Sequence, residues 1–219
     1  MEGGYPTIPG ELLDGWDERV REESVVFRIP AVSAIGHTVL YDDRRLREGL
    51  ERAGYGDLLA SEASSEDTVV DDGGGGYWRF LFASGVSFRP PLAAGIGPAS
   101  LRPIVVAEAR RSFQRDLQSR GFEAVDRGRN QRLRTDAGDR ASLVKYTARY
   151  PFEDAPTDEL RIEGWLAVWA TGGEFRIAGG AYPISGLEEL LAVLYSDERP
   201  AIEPNAYREE LLELIRSVT

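Results

Sequence analysis

The sequence has no cysteine, one histidine, one methionine and only one lysine, Lys145. Without cysteine there is no disulfide framework, no thiolate nucleophile and no Cys-ligated zinc or iron–sulfur centre. One histidine cannot complete a zinc site of the usual type. His37 sits in the strand-like run Ala34-Ile35-Gly36-His37-Thr38-Val39 and reads as a packed structural residue rather than a general base. No apolar run approaches the roughly 18 residues of a membrane span. The start, Met1-Glu2-Gly3-Gly4-Tyr5-Pro6, lacks the basic and apolar regions of a secretion signal. The expectation is a cytoplasmic protein with no membrane span.

Catalytic and cofactor motifs are missing as well. Gly73 to Gly76 leads into a strand and lacks the Lys-Ser/Thr of a phosphate loop. Gly95-Ile96-Gly97-Pro98 precedes a helix, where backbone amides can meet an anion, but it lacks the third glycine of a dinucleotide turn. There is no Gly-x-Ser-x-Gly elbow. The acidic pairs Asp42-Asp43, Glu66-Asp67, Asp71-Asp72, Glu188-Glu189 and Glu209-Glu210 do not have calcium-loop spacing. No catalytic residue, no metal ligand and no cofactor is expected.

What is present is charge. Asp and Glu number 37 against 26 Lys and Arg, giving a net charge of −11. All the basic residues except Lys145 are arginine. A GC-rich genome would exchange Lys for Arg without further meaning. Adaptation to multimolar salt explains both features: carboxylates hold hydration water and keep net charge away from zero, and losing lysine removes flexible alkyl stems from the surface. Acidity beside lysine depletion resembles the proteins of haloarchaea.

With 42% hydrophobic residues over 219 positions, the chain can bury a full core. Residues 1–22 read as an N-terminal strap docking Leu12, Leu13 and Trp16, and residues 23–219 as a single α+β domain. Val25 to Ile29 and Val32 to Tyr41 read as strands. A helix capped by Asp42 or Asp43 follows, with Leu46, Leu50 and Ala53 on one face and Gly54 as its stop. An acidic Gly-rich loop is expected at about 58–76. Tyr77 to Phe88 is strand-like, and Ser100 to Arg120 is a helix with Val105, Ala109, Phe113 and Leu117 recurring every fourth residue and Pro103 in its first turn.

Phe122 to Asp126, Gln131 to Thr135 and Ala141 to Tyr150 read as three strands. Leu160 to Ala170 and Phe175 to Tyr182 form a hairpin about Gly172-Gly173, setting Val168 opposite Ile177, Trp169 opposite Arg176 and Trp165 opposite Gly180. Ser185 is expected to open a helix with a capping box, and Asn205 to cap the last helix, whose stripe is Tyr207, Leu211, Ile215 and Val218. The fold class expected is α+β, a largely antiparallel sheet covered by helices in an α/β/α sandwich-like arrangement.

A long helix, a strand meander ending in a twisted hairpin, and a C-terminal helix finishing Leu211-Leu212-Glu213-Leu214-Ile215-Arg216-Ser217-Val218 resemble the PsbP-like α/β/α fold over residues 103–219. That family includes photosystem accessory subunits and a Ran-binding protein, so the resemblance implies binding or assembly rather than catalysis. It places no functional residue here.

One stretch departs from the acidic background. Residues 127–149 carry seven basic side chains (Arg127, Arg129, Arg132, Arg134, Arg140, Lys145, Arg149) and two acidic ones. Arg132 and Arg134 share a strand face, as do Lys145 and Arg149. This sheet surface can bind an anionic ligand or an acidic partner, or its arginines can pair with neighbouring carboxylates. The net charge is the wrong footprint for nucleic acid. Trp165 and Trp169, with Tyr146 and Tyr150, can line an apolar pocket or simply be core. The leading expectation is a non-enzymatic binding or assembly protein with a protein partner. The alternative is a small-molecule-binding protein or enzyme using a pocket of Trp165, Trp169 and the basic strand residues.

Overall fold

A computed structural model describes residues 4–29, 32–56, 77–91, 98–152 and 155–219. Its elements in chain order are β1 (Trp16–Ile29), β2 (Val32–Asp43), α1 (Arg44–Arg52), β3 (Phe80–Arg89), α2 (Pro98–Ser119), β4 (Glu123–Arg134), β5 (Arg140–Pro151), β6 (Glu159–Thr171), β7 (Glu174–Ser185), α3 (Leu187–Leu190) and α4 (Pro204–Ser217). The strands form one seven-stranded sheet in the order β1-β2-β3-β7-β6-β5-β4, antiparallel at every pairing. The mixed α and β composition and the single domain follow the sequence reading.

Alternation along the strands sorts apolar side chains into two clusters. Leu160, Ile162, Leu166 and Val168 of β6 join Phe175 and Ile177 of β7 on one face. There they pack with Leu101, Val105, Phe113 and Leu117 of α2, Leu46 and Leu50 of α1, and Leu187 and Leu190 of α3. Trp165, Ala167 and Trp169 point to the other face. They meet Leu211, Leu214 and Ile215 of α4, with Leu12 and Leu13 of the N-terminal segment packed against the same cluster. Each fully buried aliphatic side chain contributes about 1.5–3 kcal/mol.

The β6–β7 hairpin has the expected register, with Val168 opposite Ile177, Trp169 opposite Arg176 and Trp165 opposite Gly180. Gly172 and Gly173 both take positive φ, 57° and 88°, as a tight two-residue turn demands. Asp43 caps α1, its carboxylate accepting from the Leu46 amide at 3.0 Å.

Several local expectations are corrected. β1 begins at Trp16, inside the stretch assigned to the strap, because an edge strand half in water does not need alternating apolar residues. Phe122–Asp126 and Gln131–Thr135 are parts of one strand, β4, with irregularities between Glu123 and Asp126 and between Arg127 and Asn130 that absorb the polar middle. α2 starts at Pro98, so Pro103 falls in its second turn. Asn205 is not a cap: Pro204, with φ preset for a helix, takes the first helical position and Glu203 precedes it. The Ser185 capping box does not form, because Gly186 at φ 88° is the residue that precedes α3. A Cβ at Gly186 would stand 2.3 Å from the Glu159 carbonyl oxygen, so the turn must fall there. The acidic loop at 58–76 lies outside the described residues.

Candidate anion-binding surface

The residues singled out from the sequence divide between the two faces of the sheet. Lys145 lies opposite Trp165 in the β5–β6 register, so both point to the α4 side. Lys145 Nζ donates to Glu163 at 2.8 Å, Glu163 accepts from the Tyr182 hydroxyl at 2.9 Å, and Trp165 Nε1 donates to that hydroxyl at 3.3 Å. Burial pushes the Tyr182 phenol well up from its ordinary value. Trp169 is fully buried, and Arg149 is held by Glu123 at 3.1 Å and Glu159 at 3.6 Å. Tyr146 and Tyr150 do not join the tryptophans. With Lys145 opposite Trp165, the period of two sends Tyr146 and Tyr150 to the α2 side.

Arg132 and Arg134 also point to the α2 side. Residues directly opposite in an antiparallel pair share a face, and Arg132 faces Ser142 while Arg134 faces Arg140. Two arginines of α2 reach the same place: Arg110 donates to Ser142 Oγ at 3.1 Å and Arg102 to the Arg140 carbonyl at 3.3 Å. Burial lowers the Arg110 pKa, and the charge of Arg127, which lies opposite Tyr146, lowers it further.

Six guanidiniums, those of Arg102, Arg110, Arg127, Arg132, Arg134 and Arg140, therefore share one surface. Among the described residues none of them holds a carboxylate. The neighbouring acids of α2 are taken, Glu108 by Arg111 and Arg115, and Asp116 by Arg120. Elsewhere Arg21, Arg44, Arg47, Arg89 and Arg161 each hold a carboxylate. A row of guanidinium forks is suited to bidentate contact with carboxylate or phosphate oxygens.

Arg127 and Arg140 belong to the basic stretch visible in the sequence, whereas Arg102 and Arg110 were passed over as ordinary helix arginines. Their spacing of eight residues, which returns to the same helix face, was the available signal.

The chemistry of other candidates is thin. His37 is buried, 3.6 Å from Glu23 and edge-on to Tyr5. No group of three or more potential metal-ligating side chains occurs among the described residues. None of the described helices is long and apolar enough to cross a membrane.

A family model described as a domain of unknown function, DUF6517, matches residues 5–219. The chain belongs to this family. No curated protein and no solved structure matches it. The family match runs through the N-terminal segment, both sheet edges and α4, so the arginine surface is part of the matched unit.

Proposed function

We propose that this DUF6517 protein is a non-enzymatic binding or assembly protein of a salt-rich cytoplasm, with the arginine surface of α2, β4 and β5 as its contact face for an acidic protein partner. The carrying observation is that six arginines stand together without carboxylates among the described residues, in a chain of net charge −11. With acids in such excess, pairing is easily achieved, and like charges directly opposite, as at Arg134 and Arg140, cost up to about 1 kcal/mol. Arrangements that break a local rule in this way concentrate at functional sites. In strong salt the Debye length falls to about 3 Å, so distant charges exert no steering and only direct guanidinium–carboxylate contacts keep their value. The net charge argues against nucleic acid as the partner.

In this reading the architecture is an α/β/α sandwich, one domain with an N-terminal strap and with helices covering the sheet on both sides. The element order between residues 103 and 219 is similar to the PsbP-like fold, whose accessory and binding members support an assembly role. Lysine depletion beside the acidity supports the salt-rich setting. Its expected consequence is a thermal unfolding midpoint that rises steadily as KCl is raised from dilute buffer to about 1 M and beyond. Full stability in dilute buffer would sink it.

The test of function is binding of polyglutamate to the full chain in about 1 M KCl. Arg110→Gln with Arg127→Gln is expected to weaken it by about tenfold or more. Equal binding by wild type and variant, or none by either, overturns the proposal. A second reading, a small-molecule-binding protein or enzyme, is favoured by an open cleft bounded by Trp169, Glu174, Arg176, Val218 and Thr219. A ligand there would alter tryptophan fluorescence and leave polyglutamate binding unchanged.

A further inference from the structure

We propose that the free edge of β4 accepts an extended segment of the acidic partner as an eighth strand of the sheet, with Asp or Glu at alternate positions of that segment meeting Arg132 and Arg134. This deepens the anionic-partner reading and rests on it. β4 ends the sheet and, among the described residues, pairs only with β5. Almost all of its residues are exposed, so its outer backbone amides and carbonyls form a template for another strand.

Proteins blunt such edges with bulges, and β4 has irregularities only in its first part. From Asn130 to Arg134 the pairing with β5 runs residue for residue. Charge is the other common guard, yet here it is of one sign on one face. Two β4 edges brought together would place arginine near arginine, whereas a strand bearing acids at the matching positions is complementary.

The opposite face of the same stretch presents Leu133, which packs against the cluster containing Leu143 and Trp169. Side chains of an added strand alternate between faces. The matching segment therefore reads acid–apolar–acid. Backbone hydrogen bonds do not depend on long-range charge, so strand addition supplies affinity where salt has removed steering.

The test uses the full chain in about 1 M KCl with the peptide acetyl-Thr-Glu-Val-Glu-Val-Glu-Thr-amide, polyglutamate and a single-stranded oligonucleotide as probes. The peptide is expected to bind, to lose about tenfold or more with Arg132→Gln and Arg134→Gln, and to slow amide exchange within residues 130–134. N-methylation along one peptide edge is expected to abolish binding, and along the other edge to leave it nearly unchanged. If both methylated peptides bind like the parent and the amides stay unprotected, strand addition is wrong, while polyglutamate binding keeps the broader reading. If neither peptide nor polyglutamate binds, that reading fails too. Arginine-dependent binding of the oligonucleotide alone would overturn the choice of an acidic protein. Both arginines are exposed, so the variants are expected to fold, with circular dichroism as the check.

Discussion

Arg79→Leu is expected to lower the free energy of unfolding by about 3 kcal/mol, measured by urea denaturation. Arg79 lies just before β3 with its side chain 7% exposed. Its Nη1 meets Asp43 Oδ2 and its Nη2 meets Glu210 Oε2, each at 2.5 Å. The guanidinium lies between the rings of Trp16 and Tyr207, 4.8 and 4.1 Å from their centroids. Burial pushes the Tyr207 phenol up to about 12, so that ring stays neutral beneath the cation.

Each partner has a second duty. Asp43 caps α1 through Leu46, and Glu210 accepts from Trp16 Nε1 at 2.8 Å. One guanidinium thus joins the start of β1, the end of β2, the entry to β3 and α4.

Leucine would fill much of the space but leave Asp43, its side chain only 13% exposed, without its cation, which is the costly half of a broken pair. Glu210 is 40% exposed and can recover water, so it adds less. The two lost cation–π contacts contribute about 0.5–2 kcal/mol each. Arg79→Lys keeps the charge but loses the fork and the stacking, so it is expected to restore less than half of the stability. Adding Asp43→Asn and Glu210→Gln to the leucine variant should recover part of the loss, because the stranded charges disappear. A loss below about 1 kcal/mol for Arg79→Leu would show that the cage is not a stabilising device.

The Arg79 cage was invisible in the sequence, since Trp16, Asp43, Arg79, Tyr207 and Glu210 meet only when β1, β2, the entry to β3 and α4 are in place. Local signals fared better. The two glycines at 172 and 173 carried the hairpin register, and the fourfold recurrence from Val105 to Leu117 carried the buried face of α2. Signals failed where two devices competed, as where Pro204 displaced Asn205 as the start of α4. They also failed at the edges: β1 and β4 are solvated, so neither shows the clean alternation by which a half-buried strand is read. The arginine surface was half legible for the same reason. Its β4 and β5 members formed a visible run, but Arg102 and Arg110 join them only because α2 crosses that end of the sheet.

Gly180→Ala is expected to cost about 3 kcal/mol or more, measured by the same denaturation, although it adds a single methyl group. Gly180 lies in β7 between Leu81 of β3 and Trp165 of β6, in the interior of the seven-stranded sheet. A Cβ there would stand 2.1 Å from the Phe80 carbonyl oxygen, 3.1 Å from Leu81 Cα and 2.9 Å from Leu211 Cδ1. A side-chain contact can be relieved by rotation, but the two backbone contacts can be relieved only by moving β3 away from β7. Close packing on both faces opposes that movement.

Gly138→Ala is the control for simple backbone strain: its φ is 90° with nothing within 4 Å of the added carbon, and about 1–2 kcal/mol is expected. Leu211→Ala identifies the obstacle. If the backbone is what resists, a double-mutant cycle between Gly180→Ala and Leu211→Ala should recover less than about 1 kcal/mol. Recovery of most of the loss would place the clash at the α4 side chain and remove the reason for glycine at this position.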